Sequence, residues 1–276
     1  LVGFGLMMVS SASVVVSWKT FGSNYYYLTH QLWSALVGLI AFIVATMIDY
    51  RVWQRLAPWL GGAAIILLIL PHLPGLGVTV QGAKRWIEIG GLSIQPSEIV
   101  KLLALLYAAA WLGARTNQNG DAGPTFWPFV FGLALLTGGI LMQPDAGTAM
   151  IIAMTLGLMF IVAGARLSQI MSLIGIGLLG VALMLTSPYR AQRLATFLNP
   201  GQAQLGAGYH INQSLGAIGS GGLTGLGFGQ SGQKYLFLPE VQTDSIFAVT
   251  TEELGFLRVM LLLAIFSAVI YRGYSI

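Results

Sequence analysis

Apolar residues run through this chain in long unbroken blocks, not in alternation with polar ones. The blocks cover Leu1–Val16, Gln31–Ile48 and Trp59–Leu70. A fourth begins at Pro96 and reaches about Gly113, a fifth ends at Leu141 and a sixth near Gly164. The seventh covers Ile170–Leu185, and the last runs from about Asp244 to Tyr271. Several approach the 18 residues that cross a bilayer as a helix. Lipid admits only helices or closed barrels, and a barrel strand alternates, so the pattern predicts an all-α, polytopic membrane helix bundle of about eight helices. The polar intervals are Ser17–Tyr27, Gly75–Ile94, Arg115–Pro124, Gln143–Thr148 and the long Thr186–Thr243. These read as loops. Pro96, Ser97 and Glu98 are ordinary helix-start residues for the fourth span.

Composition sharpens this picture. Of 276 residues, 56% are hydrophobic and 8% charged; soluble domains carry roughly 25% charged residues. The formal charge of +4 suits anionic lipid headgroups and gives no sign of nucleic-acid binding. Without cysteine there is no disulfide, thiol nucleophile or thiolate metal site. Arg51 and Arg55, flanked by Tyr50, Trp53 and Trp59, mark a membrane surface, and short basic loops favour the cytoplasmic side. Alternation then puts Arg115, Arg166 and Arg272 inside. It puts the segment Gln81–Trp86, the Gln143–Thr148 break and the long loop outside. Residue 1 lies within an apolar block and is not Met, so both ends read as cut.

In so apolar a chain the polar groups near the membrane are the candidates for chemistry, since charge there is costly. Glu98 and Lys101 share a helix face, as a structural ion pair or as the polar wall of a cavity. Asp145, between Pro144 and Gly147, fits a cap for the sixth helix better than a catalyst. Arg190 and Arg193, in the stretch SPYRAQRLATFLNP, suit either interfacial anchoring or a phosphate group. The glycine-rich run Gly219–Gly232 would let backbone approach a ligand, though it is no P-loop. Lys234 follows as a candidate cation for a leaving pyrophosphate. Asp244 opens the last helix, as an N-cap or a functional carboxylate. Glu252 and Glu253 lie two turns deeper, with Arg258 as a candidate partner.

The motifs QGAKRWIEIGGLSIQPSEIVK, QPDAGT, YRAQRLATFLNP, INQSLGAIGSGGLTGLGFGQSGQKYLFLPE and TDSIFAVTTEELGF occur in this order along the chain. Together they resemble the SEDS family of peptidoglycan polymerases, FtsW and RodA. GQSGQKYLFLPE is closer to FtsW. The resemblance implies a ten-helix glycosyltransferase of the bacterial cytoplasmic membrane, active on the outer face. It would join lipid II units into glycan strands, release undecaprenyl pyrophosphate and work with a class B penicillin-binding protein. By position, Asp244 matches the family's essential loop aspartate. Glu98 and Lys101 match its fourth-helix pair, and Arg190 and Arg193 its basic pair before the loop. Gln242 and Ser245 depart from the usual His-Thr-Asp-Phe, Ala146 from QPDLGT, and Arg258 from a small residue. The last two helices of the family are absent. The chain then reads as one transmembrane domain, 1–276, with an active-site loop at 186–244.

In that reaction an acceptor hydroxyl attacks the donor's anomeric carbon, with inversion, as the lipid pyrophosphate leaves. A base and nearby positive charge are required. Asp244 is the expected base. Arg190, Arg193 and Lys234 are expected at the pyrophosphate, with Lys84 and Arg85 behind them. A divalent cation would be another way to supply that charge, but no metal-ligand spacing is visible. Two other classes fit parts of the pattern. Broken helices and intramembrane charge also occur in lipid flippases and transporters, and a non-catalytic scaffold would need no base.

Overall fold

A computed structural model describes residues 1–74, 76–80, 83–89, 92–119, 125–198, 208–235 and 237–275. Six helices are long and apolar enough to cross a membrane. They are α1 (Val2–Phe21), α2 (Tyr26–Met47), α3 (Tyr50–Ile69), α4 (Pro96–Asn119), α7 (Leu167–Leu185) and α10 (Ile246–Tyr274). Two shorter apolar helices, α5 (Phe126–Leu141) and α6 (Ala146–Val162), complete the eight expected blocks. The protein is a multi-pass membrane protein.

Helix starts differ from the hydropathy reading at polar, aromatic ends. The third helix was expected from Trp59 but begins at Tyr50. Asp49 caps it, its carboxylate accepting the Arg51 N–H at 2.7 Å. Arg51, Trp53 and Arg55 therefore sit on helix, and Pro58 lies inside it. The expected loop Gly75–Ile94 instead holds a three-stranded antiparallel sheet of β1 (Gly77–Val80), β2 (Ala83–Ile89) and β3 (Leu92–Ile94), in that order, with a bulge at Val78/Thr79. The long polar loop contains two further helices, α8 (Pro188–Leu198) and α9 (Tyr209–Ser220). Residues 199–207 of that loop and 120–124 of the Arg115–Pro124 loop fall outside the described residues.

The chain divides into two compact units. In the unit Met47–Met184, α4 presents Val100, Ala104, Ala108 and Leu112 at four-residue spacing, which is one helix face. Ala64 and Leu68 of α3 join that face in one core with Ala149, Ile152, Leu156 and Phe160 of α6. Small side chains here let backbones approach closely, which is how helices associate where lipid removes the hydrophobic drive. Phe129 stacks on Phe160 with centroids 4.5 Å apart. The fully buried Gln143 donates from Nε2 to the Leu68 carbonyl at 2.9 Å, tying the α5–α6 break to the end of α3.

In the other unit, residues 1–46 and 185–276, α1 turns a stripe of Met8, Ser11, Ala12, Ser13 and Ser17 inward. Ala12 packs in a core with Ala217 of α9, Leu238, Val241, and Ala248 and Val249 of α10. No residue of α2 is buried.

Replacing Ala64, 1% exposed, with Leu forces three extra carbons into the α3–α4 seam. We expect a loss of about 1–3 kcal/mol, read as a lowered melting temperature in detergent, while Ile66→Leu, at an exposed position, leaves the melt unchanged.

Candidate active site

The glycine-rich run and α10 form one interlocked element. Helix α10 is broken at Gly255, whose φ of 78° and ψ of 172° no helix contains. An unbroken helix would bond the Phe256 N–H to the Glu252 carbonyl and the Leu257 N–H to the Glu253 carbonyl. Residues 222–227 insert between those partners. Leu226 N–H donates to the Glu252 carbonyl at 3.0 Å and Gly227 N–H to the Glu253 carbonyl at 3.0 Å. Phe256 N–H donates to the Gly222 carbonyl at 2.9 Å and Leu257 N–H to the Leu223 carbonyl at 3.2 Å. All four groups freed by the break are satisfied. The contact requires glycine on both sides: a Cβ on Gly225 would lie 2.2 Å from the Glu253 carbonyl oxygen, and one on Gly255 would lie 2.1 Å from the Gly225 nitrogen. Both residues also have positive φ. The sequence suggested that the run Gly219–Gly232 approaches a ligand; at Gly225 the close partner is the protein's own backbone.

The two deep glutamates are buried and hydrogen-bonded. Glu253, 0% exposed, accepts the Ser11 hydroxyl from α1 at 2.8 Å, the Ser231 N–H at 3.4 Å and the Lys234 ammonium at 3.2 Å. Glu252 accepts the Ser231 hydroxyl and, at 3.2 Å, the Gly232 N–H. Lys234 also donates to the Gly229 carbonyl and is itself buried. Its expected place at a leaving pyrophosphate thus meets an ammonium already held by Glu253. Arg258, expected near the glutamates, instead donates to the Thr224 carbonyl at 2.9 Å, bracing the same inserted loop. Ser11 and Ser231 carried no signal in the sequence, because their partners lie 242 and 22 residues away. Gly255, a glycine inside a helical pattern, was a visible sign.

Asp244 stands just outside this knot. It does not cap α10; the N-cap is Ser245, which makes no side-chain cap. Asp244 is exposed, in a tight turn anchored on either side of it. Val241 and Ser245 are buried, and the N–H groups of Thr243 and Ser245 both donate to the Glu240 carbonyl at 3.1 Å. Glu240 takes up bonds from Gln242 and Thr243 within the turn. Among the described residues of this unit, Asp244 is the carboxylate with no hydrogen-bond or ion-pair partner. Arg190 lies on the first turn of α8, half-buried. Exposed Leu194, Phe197 and Leu198 follow it. The side chain of Arg193 lies outside what is described.

The remaining candidates belong to the Met47–Met184 unit. Lys84 and Arg85 lie on β2. The Arg85 guanidinium is 3.9 Å from Asp145, which caps α6 by accepting the Thr148 N–H at 3.1 Å and hydroxyl at 2.8 Å, and also accepts Gln95 Nε2 at 3.0 Å. Capping is thus what Asp145 does here. Glu98 and Lys101 pair at 2.6 Å on α4, Glu98 largely exposed. Lys101 borders a small apolar cleft of about 40 Å³ between α4 and α6, lined by Ala104, Leu105, Ile151, Ile152 and Thr155. Among the described residues no three His, Asp or Glu side chains gather as a metal ligand set.

Known proteins resemble this chain over its whole length. The family described as "Cell cycle protein", FtsW/RodA/SpoVE, matches residues 1–276. Stage V sporulation protein E of Bacillus subtilis is 40% identical over 280 residues, covering 100% of this chain and 76% of that protein. The probable peptidoglycan glycosyltransferase FtsW of Trichlorobacter lovleyi is 39% identical over 280 residues, covering 100% and 73%. A solved chain from a peptidoglycan synthase complex that coordinates polymerization and crosslinking superposes with a TM-score of 0.67 at 25% identity, covering 98% of this chain and 76% of that one.

Two substitutions test the interlocked element. Lys234→Met strips the buried Glu253 of its cation, and we expect a loss of about 3–5 kcal/mol. Adding Glu253→Gln should restore much of it, so a double-mutant cycle by thermal melting reads the pair directly. Gly255→Ala should collapse the α10 break and leave little folded protein on size-exclusion chromatography.

Proposed function

Because the chain belongs to the FtsW/RodA/SpoVE family of cell cycle proteins, we propose that it polymerises peptidoglycan glycan strands, with Asp244 as the residue that readies the acceptor. The protein is an enzyme, a peptidoglycan glycosyltransferase. Its donor is a lipid-linked disaccharide-peptide, lipid II. The acceptor hydroxyl attacks the donor's anomeric carbon, the bond to the pyrophosphate oxygen breaks, and undecaprenyl pyrophosphate departs. Asp244 takes the hydroxyl proton. The region 186–244 serves as the active-site loop within one transmembrane domain, and the reaction runs on the outer face of the bacterial cytoplasmic membrane.

One observation carries this assignment. In its unit Asp244 is the carboxylate left open to a substrate, while Glu240, Glu252 and Glu253 are occupied. A base must reach the proton it removes, and Glu252 and Glu253 are buried and already held by serine hydroxyls, backbone N–H groups and an ammonium. The leaving pyrophosphate needs cations, and burial of Lys234 shifts that role to Arg190 and Arg193 on α8. Within the Met47–Met184 unit, Lys84 and Arg85 are further candidate cations, and Glu98 and Lys101 candidate substrate contacts. The partner is a class B penicillin-binding protein, which supplies crosslinking. The likeness to a chain of a synthase complex that couples polymerization to crosslinking supports that pairing.

Asp244→Ala should lower glycan polymerisation by about 10²–10⁴-fold, while the protein melts at the wild-type temperature, since the side chain is exposed and unpaired. Purified full-length protein with lipid II, read as glycan chain length on a gel, checks it. Wild-type product from the variant overturns the assignment.

A further inference from the structure

The turn that carries Asp244 is braced from outside itself. Two consecutive side chains on the first turn of α9 reach it. Tyr209 donates its hydroxyl to the Phe237 carbonyl at 2.8 Å. His210 bonds through Nε2 to the Ser245 hydroxyl. Ser245 in turn donates its own hydroxyl hydrogen to the Pro239 carbonyl at 2.7 Å. That assignment fixes the histidine. A serine hydroxyl has one hydrogen, and here it is spent on Pro239, so Ser245 Oγ accepts and His210 Nε2 must carry a hydrogen. The chain of donors therefore runs His210, Ser245, Pro239.

The turn needs such a brace. Pro239 brings no N–H of its own, and Glu240 sits at a φ of 48°, a left-handed conformation disfavoured for a residue with a side chain. Left alone, the segment from Phe237 to Ser245 has reason to relax. The two α9 contacts clamp it at both ends, at Phe237 and at the residue next to Asp244. Ala217, on the same helix, packs in one core with Leu238, Val241 and Val249, so α9 is itself fixed.

We propose that His210 is a positioning residue for glycosyl transfer: by donating to Ser245 it holds the Pro239–Ser245 turn and aims the Asp244 carboxylate at the acceptor hydroxyl. This rests on the assignment of Asp244 as the base. His210 touches no substrate in this proposal; it acts through Ser245. The effect belongs to the orientation of a catalytic group, where small displacements cost rate without costing substrate affinity.

The test compares kcat and KM for lipid II in the purified full-length protein and in His210→Ala, His210→Gln, Ser245→Ala, the His210→Ala/Ser245→Ala double variant and Asp244→Ala. Removing the imidazole should lower kcat on the order of tenfold while KM stays within about twofold. Glutamine, whose Nε2 reaches as far and still donates, should recover most of the loss. Because His210 and Ser245 act in one chain, the double variant should be no slower than the worse single one. A His210→Ala protein with wild-type kcat, a glutamine variant as slow as the alanine one, or losses that multiply in the double variant overturns the proposal. If His210→Ala does not fold, Ser245→Ala removes the same contact from the other side, and wild-type kcat there overturns it equally. An inactive Asp244→Ala beside an unimpaired His210→Ala sinks this inference alone. An active Asp244→Ala sinks the base assignment, and this inference with it.

Discussion

Everything near the candidate site depends on how α10 survives its own break. A helix interrupted within an apolar environment leaves backbone groups that water cannot reach, and each costs several kcal/mol if orphaned. Here the inserted loop takes both halves of both lost bonds, through Leu226, Gly227, Phe256 and Leu257. The repair works only because Gly225 and Gly255 lack side chains at the point of contact. Once the loop is seated, Ser231 and Lys234 are delivered to Glu252 and Glu253, and Ser11 closes the knot from α1. Three segments distant in sequence become one rigid body through satisfied backbone and one buried charge pair. A buried ion pair is poor evidence of net stability by itself, because desolvation consumes much of the attraction. What it does supply is register: only one alignment of loop on helix brings the ammonium to the carboxylate.

The apolar helices were legible because the bilayer fixes both their length and their composition, and neither depends on tertiary partners. Their ends were less so. Tyr50, Arg51 and Trp53 read as interfacial loop, yet such residues continue a helix readily once Asp49 caps it. The sheet at 77–94 escaped because its strands are short and lie among glycines, and α8 and α9 because amphipathic helices of 11 and 12 residues look polar within a long polar interval. Asp244 stood out as an acid at a membrane boundary. Lys234 stood out as the cation after the glycine-rich run, but its pairing with Glu253 spans 19 residues and follows from the fold of the loop, which no local pattern encodes.

The polar pieces of the Met47–Met184 unit divide by how much of their bonding capacity is used. Asp145 is nearly saturated by Thr148 and Gln95, with Arg85 close by, so its chemistry is that of a cap holding the α5–α6 break. Glu98 and Lys101 are in the opposite condition. Their pair is partly solvated, and such pairs contribute about 0–1 kcal/mol. A weak pair beside an apolar cleft is cheap to open.

The carboxylate offered for catalysis is the exposed one because its bonding capacity is unused. The deep glutamates are surrounded by donors and a cation, which take up lone pairs a substrate would use. Asp244 is in the reverse condition, exposed and with open lone pairs. A carboxylate offered as base to a sugar hydroxyl would act mainly through alignment with the attacking oxygen and through charge close to the leaving group. Alignment in turn demands a stiff turn, and the region supplies stiffness at each level, from the Glu240 carbonyl that gathers two N–H groups to the buried Val241 and Ser245 on either side. Rigidity around a solvent-facing acid would be wasted on a surface loop of no consequence; it is what an orientation-limited base requires.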